Sequence, residues 1–117
     1  MRGIETMSRS LWLAGLLAAV GHVGHAQEAL VTRGSEVFQY WCAACHAPGP
    51  RHPGTQALEA LYKGAKPAAL EERTDLLPDL TRAFVRTGVS VMPPFRKTEI
   101  TDADLDALAA YLAPKAE

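Results

Sequence analysis

Two cysteines, three methionines and a formal net charge of −1 in 117 residues leave this chain few chemical resources. The near balance of 12 basic and 13 acidic residues provides no basic face and argues against a nucleic-acid partner. No apolar run reaches the roughly 20 residues needed to cross a bilayer, which argues against a stable membrane anchor. No segment alternates apolar and polar residues, so strands are not expected. There is no internal repeat and no low-complexity tract. What remains is a helical pattern and one dense cluster of reactive side chains.

The N-terminus reads as a secretory signal. Arg2 and Arg9 make a basic start, and Leu11 to Val23 is a short apolar core. Gly24-His25-Ala26 then places small residues at the −3 and −1 positions of a cleavage site between Ala26 and Gln27. An uncleaved anchor is the alternative, and the shortness of the apolar stretch argues against it. Residues 1–26 are therefore taken as signal and 27–117 as one mildly acidic domain. A domain of that size needs a staple beyond its apolar core, such as a metal or disulfides.

Both cysteines fall in one pentapeptide, Cys42-Ala43-Ala44-Cys45-His46. A C-x-x-C-H run is the attachment pattern of a c-type haem. Its two thiols sit one helical turn apart and add across the vinyl groups of one porphyrin, and the adjacent imidazole lies under the ring as proximal iron ligand. Three other readings compete. Trp41-Cys42-x-x-Cys45 looks like a thioredoxin-type redox pair, but that fold needs a strand before the motif and a βαβ context. A zinc site wants four ligands, and only His52 is nearby to extend the set. A structural disulfide, usual in exported chains, leaves His46 unexplained, as does the reading of His46 as an ordinary surface histidine. A ligating His46 should donate its other ring N–H to a backbone carbonyl. The Pro-rich loop downstream is the natural source, with Pro53 as the expected acceptor.

With Met1 and Met7 in the signal, Met92 is the sole methionine of the processed chain. A gap-filling core methionine is its plain reading. Beside a haem, it completes the His/Met pair that raises the potential of a low-spin electron-transfer iron. Pro93 and Pro94 stiffen its loop. His52 is too close to His46 in sequence to reach the other face of the ring.

The helical pattern predicts a first helix from about Ala29 to Cys45, carried by Leu30, Gly34, Val37, Phe38 and Trp41. Three prolines and two glycines in 47–55 make a loop. Short helical pieces follow over Thr55 to Tyr62 and over Pro67 to Arg73. Pro78 suits a helix start and Gly88 a left-handed cap, with Leu80, Phe84 and Val85 as the apolar stripe. Val89 to Lys97 is extended. The last helix has Thr101 as cap, Asp102 and Asp104 in its first turn, and Leu105, Leu108, Tyr111 and Leu112 on its buried face. Pro114 ends it. The class is all-α.

Gly34, Phe38 and Tyr111 read as a packing cluster in which the glycine lets two helices approach. Trp41 is expected to pack on the haem or cover its edge. Arg51, Arg73 and Tyr62 are candidate partners for haem propionates, although solvated charges and a half-buried tyrosine read equally well. Lys66, Arg96 and Lys97 are a candidate docking patch against a default of mixed surface charge.

Gly34 and Phe38, the Cys42-x-x-Cys45-His46 motif, the Pro-rich loop, Val91-Met92-Pro93-Pro94-Phe95 and Leu108-Ala109-Ala110-Tyr111-Leu112 together resemble the class I, mitochondrial-like cytochromes c of bacteria. The resemblance implies a fold of three to five short helices wrapped around one covalently bound haem c. It also implies terminal helices crossing near perpendicular, and His46 and Met92 as axial ligands. It places haem attachment outside the cytoplasm, hence in the periplasm. The small size and layout are further similar to the cytochrome subunits of flavocytochromes that oxidise phenolic side chains, such as 4-cresol dehydrogenase and eugenol hydroxylase. The segment Lys63 to Asp75 does not fit a generic short cytochrome and is the candidate subfamily signature.

The expectation is a monohaem electron carrier with no catalytic residues of its own. Its partners are other redox proteins, among them a flavoprotein dehydrogenase subunit as donor and a downstream cytochrome or oxidase as acceptor. A dedicated dehydrogenase subunit, a haem enzyme or gas sensor with an open sixth site, and a thiol–disulfide oxidoreductase are the alternatives. Exported protein should be coloured, and its reduced form should show the visible band of a low-spin c haem. Colourless protein with titratable thiols would instead mark the oxidoreductase.

Overall fold

A computed structural model describes the backbone of residues 8–115 and the side chains of residues 23–115. Arg2 of the basic start lies outside the described residues, as do the side chains of Arg9 and of the apolar segment up to His22. Five α-helices follow one another: α1 (Ser8–Trp41), α2 (Ala43–His46), α3 (Pro53–Tyr62), α4 (Pro78–Thr87) and α5 (Asp102–Leu112). A 3₁₀ turn at Leu70–Glu72 lies between α3 and α4. No strand occurs among the described residues, and the all-α class holds.

The helix expected over 29–45 is both longer and interrupted. It begins at Ser8 and runs unbroken past Ala26, and it stops at Trp41. Cys42 then departs from helical geometry, with φ at −114°, and the short α2 begins after it. The break is slight. Cys42 N–H still donates to Phe38 O at 2.8 Å, and His46 N–H to Cys42 O at 2.9 Å. Residues 23–30 of α1 are exposed and touch no core. Its anchored part starts near Gly34.

That anchor is α5. A Cβ on Gly34 would lie 2.6 Å from Tyr111 Cβ and 2.7 Å from the Ala107 carbonyl carbon, so only glycine admits this approach. Next to it the Phe38 and Tyr111 rings pack at 5.9 Å between centroids. Tyr111 in turn donates its hydroxyl to Glu71 of the 3₁₀ turn. The expected packing cluster is present, and it is the seam of the molecule. Around it Val37, Phe38, Leu76, Val85, Ile100, Leu105, Leu108 and Leu112 form the core. Each buried leucine contributes about 1.5–3 kcal/mol of transfer free energy.

Helix boundaries follow local chemistry. Pro53 and Pro78 open α3 and α4, where a missing N–H costs nothing. Thr101 caps α5, accepting from Asp104 N–H at 3.1 Å. Asp102, in the same turn, accepts from Arg86 at 2.8 Å and from Lys97 at 2.7 Å. Arg33 reaches across from α1 to Asp104 at 2.8 Å and holds that carboxyl below its usual range. The helical piece expected over 67–73 shrinks to the three residues of the 3₁₀ turn.

Two further expectations change. Of the α4 stripe only Val85 is buried, while Leu80 and Phe84 stay 38% and 39% exposed. The second buried residue of α4 is Thr81. Lys66, Arg96 and Lys97 are each paired with a carboxylate, at Asp75, Glu99 and Asp102 respectively. They form mixed surface charge rather than a basic patch. Gly34→Ala should destabilise the haem-loaded protein by about 1–3 kcal/mol through overpacking. The check is urea denaturation, in which a surface control such as Gln39→Ala, at an exposed position of the same helix, should leave the midpoint in place.

Candidate functional site

An apolar cleft of about 220 Å³ runs between the motif and the Met92 loop. Cys42 and His46 line it at one end of the sequence and Met92 at the other. Leu58 and Leu61 of α3, Phe84 and Val85 of α4, and Leu108 and Leu112 of α5 supply its walls. Cys45 sits one turn from Cys42 on α2 and is exposed.

His46 is placed by what lies behind it. After α2 the chain loops back, and Thr55 donates its hydroxyl to Ala47 O at 2.8 Å. This docks the start of α3 against the motif. A Cβ on Gly54 would come within 2.7 Å of His46 Cε1 and 2.9 Å of its Nδ1. The bare backbone of Gly54 is therefore the surface against which the imidazole rests. Burial pushes the His46 pKa down, so the ring is neutral, the form that binds a metal. Its Nδ1 is buried and has no partner among the described residues. The expected bond to the Pro53 carbonyl is absent. Pro53 begins α3, and its carbonyl is directed along the helix like the others of that turn.

Met92 is delivered by a tight turn. Gly88 ends α4 at φ 68°, a backbone state costly for other residues, and a Cβ there would meet Met92 O at 2.6 Å. Its ψ of 172° differs from the left-handed cap expected. Val89 and Met92 exchange backbone bonds at 3.1 and 2.9 Å. Phe95 N–H donates to Val85 O at 2.8 Å, and Arg86 to Phe95 O at 3.1 Å. Both bonds tie the loop back to α4. Trp41 does not line the cleft. It meets Phe95 edge-on at 5.9 Å and braces the Met92 loop against α1.

Of the propionate candidates, Tyr62 and Arg73 line the cleft and Arg51 does not. Arg73 donates to both Asp75 oxygens, at 2.7 and 2.8 Å, and to Tyr62 OH at 2.8 Å. Lys66 adds a third contact to Asp75, at 2.9 Å. The segment between Lys63 and Asp75 thus closes one wall with a charged lock. Residue patterning flagged neither Gly54 nor Thr81. By pattern Gly54 is only part of the loop, and the Pro53-Gly54 pair a few residues after the motif is the available signal.

The competing chemistries fare poorly. Cys42 and Cys45 are both free, and burial beside Cys45 pushes the Cys42 thiol up to about 12, the reverse of an activated thiolate. No cluster of three His, Cys, Asp or Glu side chains suited to a metal ion occurs among the described residues. His52 turns its Nδ1 to Ala44 O at 3.2 Å. The residues do fit a flat apolar macrocycle. The cleft is predominantly apolar, and Leu61, Val89 and Phe84 at its rim remain 69%, 50% and 39% exposed, as befits the walls of a ligand groove.

A protein-family model described as cytochrome c oxidase, cbb3-type, subunit III matches residues 29–112. Searches of curated proteins and of solved structures gave no match.

Gly54→Ala should push the His46 ring off its seat. The expected result is partial loss of the low-spin haem spectrum. The covalent attachment should remain in the denatured protein, as seen by mass.

Proposed function

This chain belongs to that family of c-type cytochrome domains, which carry a covalently attached haem c and transfer electrons, and on that premise we propose that it is an exported monohaem electron carrier with His46 and Met92 as axial ligands. Thioether bonds from Cys42 and Cys45 hold the haem. The observation that supports this most is the convergence of Cys42, His46 and Met92 on one apolar cleft. The haem iron supplies a one-electron couple. His46, neutral and seated on Gly54, presents a ligand that needs no deprotonation. Met92, tied to α4 through its own loop, keeps its place in both oxidation states. The apolar walls exclude water and keep the local dielectric low, which tunes the potential. With both positions taken, the alternative of an enzyme or gas sensor with an open sixth site is disfavoured.

Export to the periplasm fits the same reading. Residues 23–30 lie off the core, so cleavage between Ala26 and Gln27 would leave the packed part of α1 intact. No helix of the described residues is long and apolar enough to cross a membrane. The electron donor we favour is the flavoprotein subunit of a phenol-oxidising dehydrogenase, with a cytochrome or oxidase as acceptor. Copurification of the full chain with a flavoprotein supports the dedicated-subunit form. A free monomer reduced equally well by several donors would contradict it.

Met92→Ala should abolish the near-infrared sulfur-to-iron band of the oxidised protein. It should also lower the midpoint potential by roughly 0.1–0.3 V, within the ~0.8 V that axial ligands command. An unchanged band would falsify ligation by Met92. Rapid carbon monoxide binding to the reduced wild-type protein at neutral pH would restore the open-site reading.

A further inference from the structure

Thr81 carries a hydroxyl that the protein does not use. The residue is 6% exposed, it lines the cleft, and its Oγ1 is shut off from solvent with no hydrogen-bond partner among the described residues. Its backbone N–H donates normally to Leu77 O at 3.2 Å. A helical threonine commonly returns its hydroxyl to the carbonyl one turn back. Thr87 of the same helix does so, donating to Ala83 O at 2.8 Å. Thr55, the other buried threonine, gives its hydroxyl to Ala47 O. Thr81 alone keeps its donor off the protein and at the wall of the cleft. Buried donors are rarely left in that state, so an acceptor from outside the chain is called for.

The wall offers no substitute. His46 and Cys42 from the motif, Tyr62 from α3 and Arg73 after the 3₁₀ turn are the titratable or charged groups lining the cleft, and α5 contributes only Leu108 and Leu112. Tyr62 OH already accepts from Arg73, and Arg73 is locked to Asp75. Met92 sulfur is a weak acceptor and takes no bond from the hydroxyl. A haem c brings two carboxylates, both strong acceptors. Resting on the haem reading above, we propose that the Thr81 hydroxyl donates to a propionate carboxylate of the bound haem. In that role it is a positioning residue, orienting the macrocycle and partly offsetting a negative charge near the iron.

The test uses exported, haem-loaded protein with Thr81→Val, which keeps the side-chain shape without the donor, and Thr81→Ser, which keeps the donor. Thr81→Val should retain the low-spin c-haem spectrum and the near-infrared band. It should shift the propionate bending band in resonance Raman. It should also favour the ferric form, by no more than about fivefold, the weight of one whole net hydrogen bond, or about 40 mV at 59 mV per decade. Thr81→Ser should restore both. A Thr81→Val protein with unchanged Raman band and potential overturns the proposal. So does a near-infrared shift with the propionate band unmoved, which would assign the hydroxyl to Met92 sulfur. If wild-type protein lacks the low-spin spectrum, the haem reading itself fails and takes this contact with it.

Discussion

At Gly34 the backbone of α1 lies directly against Ala107 and Tyr111 of α5, closer than any side chain allows. The placement of the site depends on this contact. One turn further along α1, Phe38 is sealed in the core, and its carbonyl receives the N–H of Cys42. The motif therefore starts from a fixed point. From the other partner, Leu108 and Leu112 of α5 form part of the cleft wall. A shift at the seam would move the motif and the wall together.

Two glycines then bring the proposed ligands to that cleft by different means. Gly54 acts through the side chain it lacks, because its backbone is the seat of the His46 ring. Gly88 acts through its positive φ as well as its size, because the chain must turn sharply after α4 and pass close to Met92 O. In both cases the ligand's position rests on a neighbour with no chemistry of its own. Charged locks complete the frame: Arg73 with Asp75 and Tyr62 on one wall, and Arg33 with Asp104 across the seam. Exposed ion pairs of this kind contribute little stability individually. The first holds a segment without regular structure in one arrangement, and the second links two helices.

Much of this was legible residue by residue. The C-x-x-C-H run announces its chemistry because covalent attachment demands fixed spacing, and spacing is a property of sequence. Thr101 and the acidic turn after it mark the start of α5 because capping is local. Gly34, Phe38 and Tyr111 were readable as a contact because a glycine within a helical apolar stripe has few other uses. The partial burial of the α4 stripe was not readable. Leu80 and Phe84 look like core by hydropathy, yet Phe84 faces a cleft and not a packed interior. Trp41 is a related case: it follows Phe38 toward the motif, and its ring meets Phe95 of the Met92 loop rather than lining the cleft.

By itself the sequence determined the helical class, the identity of the prosthetic group and the short list of side chains able to hold it, since each depends on composition, period or spacing along the chain. Only the tertiary structure decided that Met92 comes to the same cleft as His46, that Gly54 backs the imidazole, that the Pro53 carbonyl is not its acceptor, and that Thr81 keeps a donor free at the wall. Those facts are set by the approach of segments dozens of residues apart, and periodicity carries no information about which distant backbone will come within 3 Å of a given ring.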